Sequence, residues 1–212
     1  MQKEKQNSLY RKVELPKAAR SKKNWAYGYD PNYDLVVISK DGTVGDVMEI
    51  NGLRIGLPAT PGDVHQRSGK AKEQYWESFG YSKELSKIKT IFNWNETSKE
   101  FKQRWVDYIE LEFDRRENGF WFMNNGEQTY ITGTHYMYLQ WTKIDVGHPD
   151  YREANRIFFI YWEACKADTR AFGMVYLKIR RSGFSFMSSA ECVNTATLVK
   201  DARIGILSKT GS

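Results

Sequence analysis

The side chains best suited to chemistry lie close together between residues 178 and 185, in the stretch "KIRRSGFS". Lysine and arginine are the cations that proteins use to bind phosphate, and a serine hydroxyl can ligate magnesium. Glycine lets the backbone approach a ligand closely. These residue types together favour a phosphate group as the ligand. The candidate residues are Lys178, Arg180, Arg181, Ser182, Gly183, Phe184 and Ser185.

The stretch has the outline of a nucleotide-binding P-loop but departs from the standard pattern, G-x-x-x-x-G-K followed by Ser or Thr. Gly183 and Ser185 fit that pattern, whereas Lys178 replaces its first glycine and Phe184 replaces its lysine. The phosphates require a cation within reach, and the flexible stem of Lys178 could cross the loop to them. The two arginines add fixed positive charge, which can stabilise phosphoryl transfer. The alternative is a basic strand end followed by an ordinary turn.

The elements that must position this loop are predicted from the apolar runs around it. "MVYLKI", residues 174–179, is typical of a buried parallel strand, and residues 185–200 read as a helix lined with small side chains. "ARIGIL", residues 202–207, predicts a second buried strand. Strand, loop, helix and strand make a βαβ unit, so we expect an α/β domain with a parallel sheet.

Another helix is predicted from Asp150 to about Lys166, with Asp150 as its cap and Glu153 closing a capping box. The run "THYMYLQW" just before it fits a helix or a strand. The predicted apolar stripe of the helix consists of Ala154, Ile157, Phe158, Tyr161, Ala164 and Cys165.

The loop and these upstream segments carry a resemblance to a known family. "KIRRSGFSF" resembles the deviant Walker A loop of the large terminase subunit, the DNA-packaging ATPase of tailed double-stranded DNA phages. The resemblance is closest to the terminases of crAss-like phages. "GTHYMYLQW" and "DYREANRIFFIYWEA" look like the segment that enters its ATPase domain. The match is specific from about residue 133 to 211.

The resemblance implies roles for individual residues. Lys178 would neutralise the β- and γ-phosphates of ATP, Gly183 would give backbone access, and Ser185 would ligate Mg²⁺. Arg181 would sense or stabilise the γ-phosphate as the catalytic residue. Tyr151 would supply the aromatic adenine contact, although Arg152 stands where the family has glutamine. Arg180, Ser182 and Phe184 complete the expected nucleotide-binding set.

The resemblance also implies partners and missing parts. A terminase acts as a homo-oligomeric ring with the portal protein, the small terminase subunit and double-stranded DNA, in the cytoplasm of the infected host. The 27 residues after Ser185 contain no Walker B strand ending in aspartate and no nuclease carboxylates. We therefore expect an amino-terminal fragment, truncated before Walker B, that binds nucleotide weakly at best and does not hydrolyse it.

The first 130 residues divide by charge and by turn signals. Residues 1–24 carry a net charge of +6 and predict a poorly ordered basic arm, whereas the remainder is balanced. Asp41-Gly42 and Asn51-Gly52 predict short antiparallel strands, and the turn at Asn124-Asn125-Gly126 predicts another hairpin. A helix is predicted from Thr97 to about Phe113, with Phe101, Trp105, Tyr108 and Glu112 on one face. Residues 25–130 thus form an α+β region.

Composition excludes some classes and leaves others open. With 41% hydrophobic residues the chain can bury a sizeable core, and no run approaches the ~20 apolar residues of a membrane span. No apolar signal peptide precedes the arm, so we expect a cytoplasmic protein. Two other functions fit: another P-loop helicase or translocase, or a non-enzymatic nucleic-acid-binding protein that uses the arm.

Overall fold

A computed structural model describes residues 11–14, 28–62, 64, 99–144 and 147–206. These residues form a mixed α/β fold with four helices, two small antiparallel sheets and one mixed four-stranded sheet. The strands are β1 (Arg11–Lys12), β2 (Gly28–Asp30), β3 (Leu35–Val37), β4 (Thr43–Val44), β5 (Val47–Ile50), β6 (Leu53–Gly56), β7 (Phe120–Asn124) and β8 (Glu127–Ile131). The helices are α1 (Lys99–Asn118), α2 (Gly133–Gln140), α3 (Glu153–Ala167) and α4 (Phe184–Leu198).

The four-stranded sheet has the order β2-β3-β6-β5. Its β5–β6 hairpin is confirmed, and the turn residues Asn51 and Gly52 both have positive φ, as a two-residue type I′ turn requires. The turn at Asp41-Gly42 does not form a hairpin, because the strands before and after it, β3 and β4, do not pair with each other. Instead β3 pairs with β6 in parallel, which makes the sheet mixed where only antiparallel strands were expected.

Part of the predicted basic arm belongs to the fold. Arg11 and Lys12 form β1, which pairs antiparallel with β4. The Val13 amide donates to the Gly42 carbonyl, and the Arg11 guanidinium lies 3.8 Å from the centre of the Tyr33 ring. The arm's other basic residues lie outside the described ranges. Residues 11–13 therefore hydrogen-bond to the fold, which differs from the poor order predicted for residues 1–24. Most of the rest of that predicted arm lies outside the described residues.

Helix α1 is longer than predicted and ends at a glycine. Thr97, the predicted cap, lies outside the described residues, and the helix continues beyond Phe113 to Asn118. Gly119 follows with φ of 83°, and its amide donates to the Arg115 carbonyl. A left-handed residue after the last turn is a common helix stop. Trp105 and Glu112 of the predicted face are buried.

The β7–β8 hairpin and helix α2 follow directly. The hairpin is confirmed, with Asn124 opposite Glu127 and positive φ at Asn125 and Gly126. The stretch that fitted either a helix or a strand is the helix α2, capped by the Thr132 hydroxyl, which accepts from the His135 amide. Gly133 begins α2 against the backbone of α1, where an added Cβ would lie 2.1 Å from the Arg116 carbonyl oxygen. Only glycine permits this contact.

Helix α3 is confirmed, but its predicted cap is wrong, and its predicted stripe is only partly confirmed because Phe158 and Ala164 are buried. Asp150 does not cap it, and the Glu153 carboxylate binds Tyr151 and Arg156 and forms no capping box. Ile157, predicted to be buried, is 40% exposed. The buried residues are Asn155, Phe158, Phe159, Ile160, Glu163, Ala164 and Ala167.

Two cores explain the broad buried surface of α3. Ile160, Ala164 and Ala167 pack with the four-stranded sheet, together with Trp121 and Tyr130 of the β7–β8 hairpin. Phe158 and Phe159 pack on the other side with α2 and α4, through residues such as Leu139 and Met187. A helix buried on two sides shows no single apolar stripe.

The two strands predicted around the loop are absent from the described residues. Residues 171–179 and 202–206 have no regular structure and pair with no described strand, and Leu207 lies outside the described ranges. Val175 and Leu177 are each 92% exposed. An apolar run becomes a strand only where another strand accepts its hydrogen bonds, so the parallel βαβ unit is not formed here. The predicted helix between them is confirmed as α4.

Candidate functional site

The loop before α4 bends sharply and then enters the helix. Residues 180–182 turn, and both Arg181 and Gly183 are left-handed, with φ of 64° and 78°. The amides of Phe186 and Met187 donate to the Gly183 carbonyl and so begin the helix. The amides of Phe184 and Ser185 precede these bonds, and such amides at a helix start are free to bind an anion. Left-handed backbone is inexpensive at Gly183 but strained at Arg181.

The loop carries three exposed cations and no local counter-charge. Lys178, Arg180 and Arg181 are all exposed, and none forms an ion pair with a carboxylate in the described part of the chain. The first turn of α4 contains no acidic residue. The positive end of the helix dipole adds to these charges. The loop is therefore an electropositive site.

Lys178, the first residue of the loop, contacts the first residue of α4. Its ammonium lies 5.8 Å from the centre of the Phe184 ring. That ring stacks on Tyr176 with an interplanar angle of 23° and meets Phe158 of α3 edge-on. We call Phe158, Tyr176 and Phe184 the aromatic cluster. Tyr176 and Phe158 were not predicted as site residues, because ring contacts between separate segments leave no pattern in the sequence.

The two loop serines have different surroundings. The Ser182 hydroxyl oxygen is buried without a hydrogen-bond partner among the described residues. Ser185 is exposed in the first turn of α4, where a hydroxyl can reach a ligand at the helix start. Ser188, one turn further on, donates instead to the Phe184 carbonyl. Of these serines, Ser185 has the placement that the predicted magnesium ligand requires.

Tyr151 is part of the core. It is 5% exposed, its ring contacts Phe122 edge-on and stacks on His135, and its hydroxyl donates to Glu153. Burial and the hydrogen bond to Glu153 raise the pKa of Tyr151 above its ordinary value. The ring has no exposed face for a base in this structure, so an adenine contact through Tyr151 requires the ring to become uncovered and stays a prediction.

Helix α4 is anchored by α1 and α2. Asn194 is fully buried, accepts from the Arg116 guanidinium and donates to the Arg116 carbonyl and to the Thr134 hydroxyl. Met187 and Ala190 pack into the core below the loop. These contacts hold the start of α4, and with it the loop, against the rest of the protein.

An ion network joins α4 to α3. The Lys166 ammonium lies 2.8 Å from a carboxylate oxygen of Glu163 and 2.8 Å from one of Glu191, and the Thr134 hydroxyl donates to Glu191. Burial alone would lower the pKa of Lys166, but the two carboxylates outweigh burial and raise it. Burial opposes ionisation of Glu191, yet Lys166 lowers the pKa of Glu191 below its ordinary value. Both shifts favour the charged forms of Lys166 and Glu191.

A separate cavity of about 580 Å³ lies between β5, the β7–β8 hairpin and the start of α3. Trp121, Tyr130 and Met48 line it, together with Glu153 and Arg156. None of residues 178–185 lines this cavity. It is therefore distinct from the loop.

No protein-family model matches the chain, and comparison with curated proteins and with solved structures finds no significant similarity. The resemblance to terminases therefore stays a hypothesis. Among the helices of the described ranges, none is long and apolar enough to cross a membrane.

Proposed function

We propose that this chain is the nucleotide-binding part of a phage large terminase subunit, in which residues 178–185 form a P-loop with a relocated lysine. The observation that carries the proposal is the position of Lys178. Its ammonium lies beside the ring of Phe184, the first residue of α4, although the lysine stands at the first position of the loop. A P-loop needs a cation at this place, next to the amides of a helix start.

The loop residues take separate roles. Lys178 neutralises the β- and γ-phosphates, and the amides after Gly183 donate to phosphate oxygens. Arg181 stabilises charge on the γ-phosphate, and Ser185 in the exposed first turn ligates magnesium. The donor set fits Mg-ATP because the described surroundings contain a hydroxyl and three cations without acidic competitors. When bound, the magnesium ion would neutralise phosphate charge.

In this proposal, ATP hydrolysis by a ring of subunits drives double-stranded DNA into a procapsid. The portal protein and the small terminase subunit are the proposed partners. Hydrolysis also needs carboxylates that hold magnesium and position water. We expect the chain as given to bind ATP only weakly and not to turn it over, so measurable ATPase activity from these residues would contradict this expectation.

A binding titration tests the nucleotide site. The fluorescent analogue mant-ATP, with Mg²⁺, is titrated into the wild-type chain and into Lys178→Ala. We expect the variant to bind roughly tenfold more weakly or worse, because a charge-assisted contact to phosphate is lost. Lys200→Ala is the matched control, since Lys200 is exposed and follows the other end of α4. Equal affinity of Lys178→Ala and the wild type would overturn the proposal.

The same variants separate the alternatives. A helicase or another P-loop translocase would also depend on Lys178, and continuous translocation of duplex DNA into a procapsid distinguishes the terminase. A nucleic-acid-binding protein that relies on the basic arm would bind duplex DNA equally well with Lys178→Ala. It would show no mant-ATP binding.

A further inference from the structure

The ammonium of Lys178 lies beside an aromatic ring at the start of α4. It lies beside the side chain of Phe184, the first residue of α4, whose positive amino-terminal dipole does not favour cations, and no carboxylate in the described ranges pairs with it. The group that it contacts is the Phe184 ring, at 5.8 Å from the ring centre. The negative face of an aromatic ring attracts a cation at this distance. The attraction to the ring therefore offsets the repulsion between the Lys178 ammonium and the positive end of the helix dipole.

The Phe184 ring is itself fixed. Tyr176 stacks on it with ring centres 5.4 Å apart, and Phe158 contacts it at 5.5 Å with an interplanar angle of 78°. Phe158 belongs to α3 and is 8% exposed, so it ties the ring to the core. The Gly183 carbonyl, just before it, accepts from the Phe186 and Met187 amides and so ties the backbone to the helix start. A fixed ring can define one place for the flexible lysine stem.

We propose that Phe184 is a positioning residue for Lys178, which keeps the ammonium at the start of α4 before a phosphate group arrives. The inference rests on the proposed nucleotide site and explains why an aromatic residue occupies the position where a standard P-loop has its lysine. A lysine side chain has much rotamer freedom, and a site that orders it in advance binds more tightly.

Nuclear magnetic resonance tests the contact without any nucleotide. Protons above an aromatic ring resonate upfield, so the ε-methylene protons of Lys178 should lie upfield of those of the exposed Lys200. Phe184→Leu should return them to the ordinary position, and Phe184→Tyr should keep them upfield. Phe186→Leu, the same change at an exposed residue two positions on, should leave them unshifted from wild type. An ordinary Lys178 resonance in the wild type overturns the inference.

A double-mutant cycle tests the function of the contact. We expect Phe184→Leu to weaken mant-ATP binding about two- to fivefold, the size of an exposed cation–ring interaction. Phe184→Tyr should bind like the wild type. In the Lys178→Met background, Phe184→Leu should have no further effect, because the residue acts through the lysine. A purely structural role would instead weaken binding equally in both backgrounds and would overturn the inference.

The two proposals fail in different ways. If the wild type binds no mant-ATP, or binds it independently of Lys178, both the nucleotide site and the positioning role are wrong. If binding depends on Lys178 but is the same in Phe184→Leu as in wild type, only the positioning role is wrong.

Discussion

At the scale of single residues, His135 is a titratable group enclosed by aromatic rings. It is fully buried, stacks on Phe159 at 4.9 Å and on Tyr151 at 5.8 Å, and neither ring nitrogen has a hydrogen-bond partner among the described residues. Burial, and then the charge of Arg156, lower the pKa of His135 to about 3. The lowered pKa favours the neutral imidazole in the folded protein at neutral pH.

We expect this histidine to make stability depend on pH. In the unfolded chain its pKa is about 6.5, so between about pH 6.5 and 3 the unfolded state binds a proton that the folded state does not. The free energy of unfolding should fall as the pH drops through this window, by roughly 2 kcal/mol between pH 7 and pH 5 from this residue. Urea unfolding at both pH values measures the loss.

The comparison variant is His135→Phe, which keeps an aromatic ring in the stack but cannot titrate. It should lose less stability than the wild type between the two pH values. His148→Phe, at an exposed histidine, should lose as much as the wild type. The same pH dependence in His135→Phe and wild type would show that His135 does not cause it.

At the scale of helices and strands, two of the three turn signals and the approximate starts of two helices were confirmed. The Asn51-Gly52 and Asn125-Gly126 turns adopt the positive φ angles that their residue types favour. Helices α3 and α4 begin within a few residues of their predicted starts. Turn chemistry and helix periodicity depend on neighbours in sequence, which is why they could be predicted.

Features that depend on distant neighbours could not be predicted in the same way. The predicted stripe of α3 was right for Phe158 and Ala164 but missed Phe159 and Ile160, because the helix has a core on each side. The run at 174–179 has strand-forming residues but no described strand beside it. At the candidate site, the loop residues were proposed from their types, while the aromatic cluster requires Phe158 from another helix. Composition cannot reveal which rings meet.

Leucine substitutions test the difference between the predicted strand and the observed segment. Leu177 is 92% exposed, so Leu177→Ala should change the free energy of unfolding by less than about 0.5 kcal/mol. Leu139 is fully buried, and Leu139→Ala should cost about 3 kcal/mol because it leaves a cavity. Urea unfolding of both variants measures these changes. A cost above about 2 kcal/mol for Leu177→Ala would mean that this segment is buried in solution.

At the scale of the whole molecule, positive charge lies at two places in the sequence, the arm and the loop. Because β1 lies within residues 1–24, deleting that whole range would remove a strand as well as charge. A cleaner variant replaces only basic residues outside the described ranges, and so leaves β1 intact. The variant replaces four of them, Lys17, Arg20, Lys22 and Lys23.

We expect replacement of these four residues by glutamine to weaken binding to duplex DNA. Each lost phosphate contact reduces counterion release, so the slope of log affinity against log salt should fall by up to about 3.6. Fluorescence anisotropy with a labelled duplex at several salt concentrations measures it. Replacing Glu4 and Glu14 by glutamine is the opposite-sign control and should strengthen binding. An unchanged slope in the fourfold variant would exclude the arm as a DNA contact.

The anchoring of α4 by Asn194 has a consequence for the order of folding. Its partners Arg116 and Thr134 lie 78 and 60 residues earlier in the chain. Contacts across such separations close large loops, which is slow compared with forming a hairpin such as β7–β8. We expect α4 to dock after α1 and α2 have met at Gly133. The loop at residues 178–185 would then be among the last parts of the protein to acquire its shape, and the hydrogen-bonded amides of Phe186 and Met187 among the last to gain protection from hydrogen exchange during refolding.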